Sequence, residues 1–259
     1  LAANLSSGFR APSIFELYAS GVHGGVAAFQ VGNPDLDPER AFSADASVRV
    51  RRDRLTAEVT GYVNAINDYI FLENTEDNAP NGLPIFEADQ TDVVIPGLEA
   101  KVETQLRPWL HVGGQFTVLG GTGDDLGSDG GDGDLPLLPA DNVKGFVHLT
   151  PADQGPLRSP RIEVDLKRGF DKDAAGRFEP FSQFDEGFGP PFGTASTKAY
   201  TTVDASVESR FALGLGTQPS LRVEVRNAFD ADYRDFLDTY KGYALSPGRD
   251  LRVSLSVPF

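Results

Sequence analysis

Charged side chains at every second position are the residues of this 259-residue sequence that could contact a polar ligand. In the segment 221–227, the charged residues Arg222, Glu224 and Arg226 alternate with Leu or Val, and the segment 161–167 repeats the pattern. A β-strand points successive side chains to opposite faces, so each segment would present one apolar and one charged face. The charged face could bind or solvate a polar molecule.

Aromatic residues form a second candidate binding surface. Residues 178–192 contain five phenylalanines among glycine, proline and acidic residues, and residues 233–243 contain three tyrosines and a phenylalanine. Such rings could stack on a flat or apolar ligand, or they could pack each loop upon itself. Both interpretations stay open, and the candidate substrate contacts are Phe181, Phe184, Phe188, Tyr240 and Tyr243.

Signals for catalysis and for metal binding are weak. The sequence has three histidines, no cysteine, and no HExxH, GxSxG or Walker motif. The acidic segment 124–134 could suit a hard cation, but it lacks the EF-hand spacing, and its composition favours a solvated loop. A net charge of −15 argues against nucleic-acid binding. We therefore predict no enzyme activity, no metal site and no cofactor.

The alternation recurs along the whole chain and predicts about ten β-strands. They lie near residues 1–7, 41–52, 54–72, 84–106, 109–120, 141–150, 160–170, 199–210, 218–228 and 248–259. No run of about 18 apolar residues is present, so the sequence predicts no transmembrane helix, whereas a barrel strand needs only about ten alternating residues.

The predicted connections are alternately short and long. The long ones are 8–40, 73–83, 121–140, 171–198 and 229–247. Short turns at one end and long loops at the other are typical of an outer-membrane β-barrel. A soluble β-sandwich would also show alternating strands, so periodicity alone leaves both architectures open.

Several motifs, in order along the chain, make a resemblance specific. The first two are GFRAPSIFELY at 8–18 and GNPDLDPER at 32–40; IPGLE at 95–99, LPLLP at 135–139, NAFDADY at 227–233 and PGR at 247–249 follow. They resemble barrel signatures of TonB-dependent outer-membrane receptors, although Ala228 replaces the usual Leu. We expect the first two motifs to be structural rather than to touch a ligand.

The resemblance implies an all-β fold: the C-terminal part of an antiparallel transmembrane β-barrel, with residues 1–259 as one unit. About ten strands are too few to close a barrel of the family, which has about 22 and holds a plug domain that this chain lacks. Charge facing lipid is costly, so the charged faces would point into the lumen. The lumen-facing candidates are Glu103, Lys144, Asp165, Asp204, Arg222 and Arg226.

The function implied is that of an active-transport receptor in the outer membrane of a Gram-negative cell. Its outer loops would bind a scarce nutrient, most commonly a ferric siderophore, and TonB would supply energy through an N-terminal part. The first residues already read as strand, so we expect a fragment whose N-terminal portion is missing. The alternating C-terminus ending in Phe259 resembles the signal read by the barrel-assembly machinery. The alternatives are a small autonomous outer-membrane barrel enzyme and a soluble β-sandwich binding module.

Overall fold

The computed structural model describes most of the chain. The described residues are 1–23, 28–124, 126, 133–135, 137–173, 196–212, 217–238, 241 and 244–258, without the side chain of Glu76. Within them, no helix has the length and apolar character needed to cross a membrane.

Fourteen strands and one short helix make up this part of the chain. The elements are β1 (Ala2–Arg10), α1 (Ile14–Tyr18), β2 (Ser20–His23), β3 (Ala28–Val31), β4 (Glu39–Arg52), β5 (Leu55–Asn78), β6 (Pro84–Arg107), β7 (Leu110–Leu119), β8 (Thr122–Gly123), β9 (Gly133–Asp134), β10 (Asn142–Leu149), β11 (Leu157–Gly169), β12 (Tyr200–Phe211), β13 (Ser220–Arg226) and β14 (Asp250–Ser256).

Ten of these strands form one continuous sheet in the order β1-β4-β5-β6-β7-β10-β11-β12-β13-β14. Each pairs antiparallel with the next, as hairpin connections allow. The predicted all-β antiparallel architecture is confirmed. A β-sandwich would need two packed sheets, and this single sheet does not fit that alternative. In the described part of the chain, β1 and β14 are the outer strands of the sheet and do not pair with each other.

The sheet has an apolar face and a polar face. Its apolar face leaves large side chains exposed, for example Val102 at 46% and Val253 at 65%. Further members of this exposed set are Val48, Val59, Leu98, Val164, Val207 and Val223. A soluble protein rarely exposes so extended an apolar surface, whereas the lipid-facing side of a membrane barrel requires one.

Strands β5 and β6 extend beyond their neighbours as a long hairpin. The sequence prediction of a loop at 73–83 was wrong in its extent, because β5 continues to Asn78 and β6 starts at Pro84. Phe71 and Val93 of this hairpin form a small buried core with Leu126 and Leu135. These contacts join segments far apart in sequence, so local polarity could not reveal them.

A lysine on the apolar face should destabilise the folded protein, whereas a lysine on the polar face should not. Val102→Lys would place an ammonium among exposed hydrocarbon, at a cost of about 2–4 kcal/mol near the bilayer midplane. Thr56→Lys is the matched control, because Thr56 lies directly opposite Glu103 on the polar face. Guanidinium unfolding from phospholipid vesicles measures both, and equal losses would contradict this assignment of faces.

Candidate functional site

A concave cavity of about 350 Å³ lies on the polar face where β6, β7, β10, β11 and β12 run side by side. Its charged and polar lining consists of Lys101, Glu103, Gln115, Lys144, Asp165, Lys167, Thr202 and Asp204. Four of the six residues predicted to face the lumen are therefore brought together here. The other two, Arg222 and Arg226, lie on β13, outside this lining.

Strand register places like charges opposite each other in the cavity. Lys144 faces Lys167 across the β10–β11 pair, and Asp165 faces Asp204 across the β11–β12 pair. Like charges directly opposite each other are destabilising unless counter-charges approach. A third lysine of the cavity, Lys101, does have a counter-charge, since its Nζ lies 2.7 Å from Glu103 Oε1.

The arginines of β13 belong to an ion-pair network instead. The Arg222 guanidinium lies 3.3 Å from carboxylate oxygens of both Glu163 and Glu208, and 3.5 Å from Glu224. Glu224 also accepts a hydrogen bond from Arg226. This network links β11, β12 and β13 across the polar face, which gives these two arginines a structural role in addition to the one predicted.

The described residues of the loop between β13 and β14 (residues 227–249, the last loop) fold over the polar face. Asp235 Oδ2 accepts hydrogen bonds from the Tyr200 hydroxyl at 2.7 Å and from Lys167 Nζ at 3.0 Å. The rings of Tyr200 and Tyr233 lie 4.4 Å apart. Gly169, opposite Tyr200, makes room for its ring, because a Cβ there would lie 2.7 Å from it. The last loop is thus fastened beside the cavity.

Side chains of the NAFD and PGR motifs fix the base of the last loop. The Asn227 N–H donates to Asp204 Oδ1 at 2.8 Å, and its side-chain amide donates to the Ala231 carbonyl at 2.9 Å. Asp230 Oδ1 accepts from the Arg249 N–H at 2.8 Å. Asn227 and Asp230 have positive φ angles of 46° and 56°, which Asn and Asp tolerate better than most residues.

Hydrogen bonds around Arg10 join the first two sequence motifs at the β1 edge of the sheet, and we call this group of contacts the Arg10 clamp. Arg10 donates to both carboxylate oxygens of Glu39, at 2.7 and 2.6 Å, and to Glu16 at 2.9 Å. Glu16 also caps α1 by accepting from the Ser13 N–H, and Glu39 accepts from the Ile70 N–H at 2.9 Å. Burial raises the pKa of Glu16, but these donors lower it by more, so the net shift is downward.

An aromatic cluster lies on the polar face beside Asp165, one of the acidic residues that line the cavity. His111 and His148 are directly opposite, and the Phe146 ring stacks on His148 at 4.5 Å. His148 Nε2 lies 3.4 Å from Asp165. Among the described residues, no three His, Asp or Glu side chains form a group that could hold a metal ion.

Comparison with known proteins identifies the architecture. The family described as TonB dependent receptor-like, beta-barrel, matches residues 1–228. The chain belongs to this family. Members are transport receptors of the Gram-negative outer membrane. No curated protein is significantly similar to the chain in sequence.

Solved structures of TonB-dependent receptors share the fold. The copper transporter OprC superposes with a TM-score of 0.74 at 18% identity, covering 98% of this chain and 36% of its own. The siderophore receptor PirA from Acinetobacter baumannii gives 0.64 at 20%, covering 98% and 38%. The ferric preacinetobactin receptor BauA from Acinetobacter baumannii gives 0.65 at 14%, covering 98% and 33%. The chain thus spans about a third of the length of these receptors, and the ten-strand sheet is part of a β-barrel that is not closed here.

The aromatic residues predicted to contact substrate lie outside the described residues. These are Phe181, Phe184, Phe188, Tyr240 and Tyr243, and the terminal Phe259 is outside them as well. They remain predictions. Sequence reasoning missed Asp235 and Tyr200; the acidic residue between two aromatics in the last loop was a signal, but its partner Lys167 is distant in sequence.

Loss of the Glu39 charge should destabilise this TonB-dependent receptor barrel. The Glu39 side chain is only 11% exposed, so Glu39→Gln would weaken charged hydrogen bonds in a partly dry site, at about 1–3 kcal/mol. Glu58→Gln is the matched control, since Glu58 pairs with Arg49 at a more solvated position and should cost about 0–1 kcal/mol. Denaturant unfolding in detergent compares the two; a larger loss for Glu58→Gln would contradict the clamp.

Acid should release the last loop. Burial raises the pKa of Asp235, but hydrogen bonds from Tyr200 and Lys167 lower it by more, so its pKa in the folded protein lies below the ordinary 3.8. The stabilisation is complete above that ordinary value and is lost as pH falls through the folded pKa. Pepsin should therefore cleave the loop more slowly in the wild type than in Asp235→Asn at about pH 5, and the difference should shrink as the pH falls below 3.8. A constant ratio across this range would disprove the link.

Proposed function

We propose that this chain forms the lumen wall and several outer loops of a receptor that imports a ferric siderophore across the outer membrane. The observation that carries the proposal is the contrast between the two faces of the sheet. One face is exposed hydrocarbon, and the other holds charged side chains around a cavity. That arrangement suits a wall between lipid and an aqueous path for a polar solute.

Two observations favour a siderophore as the ligand: the ligands of related solved receptors, and the aromatic residues of the long loops. PirA from Acinetobacter baumannii is a siderophore receptor, and BauA is a ferric preacinetobactin receptor. The aromatic residues of the outer loops, Phe181, Phe184, Phe188, Tyr240 and Tyr243, would stack on the flat or apolar parts of such a ligand. The lumen-facing charges Glu103, Lys144, Asp165 and Asp204 would contact it on the way through.

The proposal includes the partners expected of a TonB-dependent receptor. TonB would transmit energy through a part of the receptor that this chain does not contain. Lipid would cover the apolar face, and the barrel-assembly machinery would recognise the strand that ends in Phe259.

Uptake measurements test the transport role. Deleting the gene should abolish accumulation of radioactive iron from one member of a panel of ferric siderophores under iron limitation. The wild-type gene should restore it, but not in a strain without TonB. The structural relative OprC is a copper transporter, so copper uptake is measured in parallel. Normal uptake of every siderophore, together with loss of copper accumulation, would replace iron by copper in the proposal.

A further inference from the structure

Two lysines of the cavity lie next to each other, so an anion placed between them would contact both. Lys144 and Lys167 (the lysine pair) lie directly opposite on β10 and β11, where side chains are about 4.5–5.5 Å apart at Cβ. Both line the cavity. Within the described residues, Lys144 Nζ has no carboxylate within ion-pair distance, while Lys167 is neutralised by Asp235. The pair therefore carries two positive charges, and in this part of the chain only Lys167 has a carboxylate within ion-pair distance.

That carboxylate comes from a loop rather than from the sheet. Asp235 belongs to the last loop, and its side chain is 39% exposed, as is that of Lys167. Lys144 is exposed as well, so both lysine ammonium groups are open to water and a dissolved anion could reach them. The Asp235 contact is worth little more than a partly solvated ion pair plus one hydroxyl hydrogen bond, which a multivalent anion could match.

We propose that the lysine pair is a binding site for carboxylate groups of the imported ligand, and that Asp235 occupies this site when the receptor is empty. This inference rests on the proposed transport function and specifies its ligand chemistry: an anionic, carboxylate-bearing solute. A ligand carboxylate takes the place of Asp235 at Lys167 and adds Lys144, which Asp235 leaves without a partner.

Ligand binding would then change the position of the last loop. Without Asp235 at Lys167, the described loop keeps the Tyr200–Tyr233 ring contact and the Asn227 and Asp230 anchors at its base. The base stays in place while the segment around Asp235 moves away from the polar face. Arrival of an anion in the cavity is in this way coupled to opening of an outer loop.

Spin labels on the intact receptor in detergent can measure this movement. The chain has no cysteine, so labels attach only where cysteines are introduced into it. Leu237→Cys marks the last loop, where Leu237 is 47% exposed, and Ala152→Cys marks the exposed turn before β11 as a fixed reference. Pulsed electron resonance gives the distance distribution between them. Citrate is the probe anion, compared with sodium chloride at equal ionic strength so that screening is constant.

The proposal predicts one short distance in chloride and an added longer, broader population in citrate. Asp235→Asn should show the longer population without citrate, and Asp232→Asn, the same charge change at an exposed site of the same loop, should behave as wild type. Lys144→Gln should keep the short distance in chloride and shift the citrate response to a several-fold higher concentration. Gly169→Ala, which displaces the Tyr200 ring, should open the loop without altering any charge.

Two results would overturn it. If citrate leaves the wild-type distance unchanged, the lysine pair does not exchange its carboxylate. If Lys144→Gln responds to citrate at the wild-type concentration, the site is not shared by both lysines. Neither result depends on iron uptake, so a receptor that imports a siderophore normally but fails these tests would retain the proposed function and lose only this inference.

Discussion

The register of the antiparallel ladder is the constraint on which the rest of the structure depends. Backbone groups in a membrane have no water to bond with, so each strand must pair with its neighbours. Side chains alternate along a strand, and a slip of one residue would exchange the two faces. In the observed register, Lys101 faces Gln115 and Val102 faces Gly114, so charge and hydrocarbon stay on opposite sides from strand to strand. The cavity and the ion-pair network exist because this register holds across the sheet.

Side-chain hydrogen bonds and ion pairs, here called clamps, hold two of the long connections against this sheet. Arg10 ties the first connection to β4 through Glu39, and Asn227 ties the last loop to β12 through Asp204. Arg10, Glu39 and Asn227 all belong to the family motifs. Their contacts explain why these residue types are needed: a guanidinium can bridge two carboxylates, and an Asn can adopt a positive φ while bonding in several directions. The structural role expected for the first two motifs agrees with these contacts.

The strands were predictable because their signal is local. A period of two is visible within a few residues, and the ten main strands appear within a few residues of their predicted positions. Both strands of the β5–β6 hairpin were predicted, but β5 was expected to end at residue 72 rather than at Asn78, because its last, polar residues read as a loop. Asp235 was missed because its value as a site residue comes from Lys167 and Tyr200, and no local pattern encodes such a long-range contact. The aromatic candidates lie outside the described residues and remain predictions.

Strand β3 pairs parallel with β6, an exception within an otherwise antiparallel sheet. Phe29 lies beside Ile85, so the first long connection is completed by a strand that occurs much later in the chain. Closing so long a segment costs chain entropy that only an already formed hairpin can offset. We therefore expect the first long connection to become ordered only after the β5–β6 hairpin has formed. Because β3 pairs directly with β6 beside the hairpin tip, a change at that tip would also alter the shape of the first long connection.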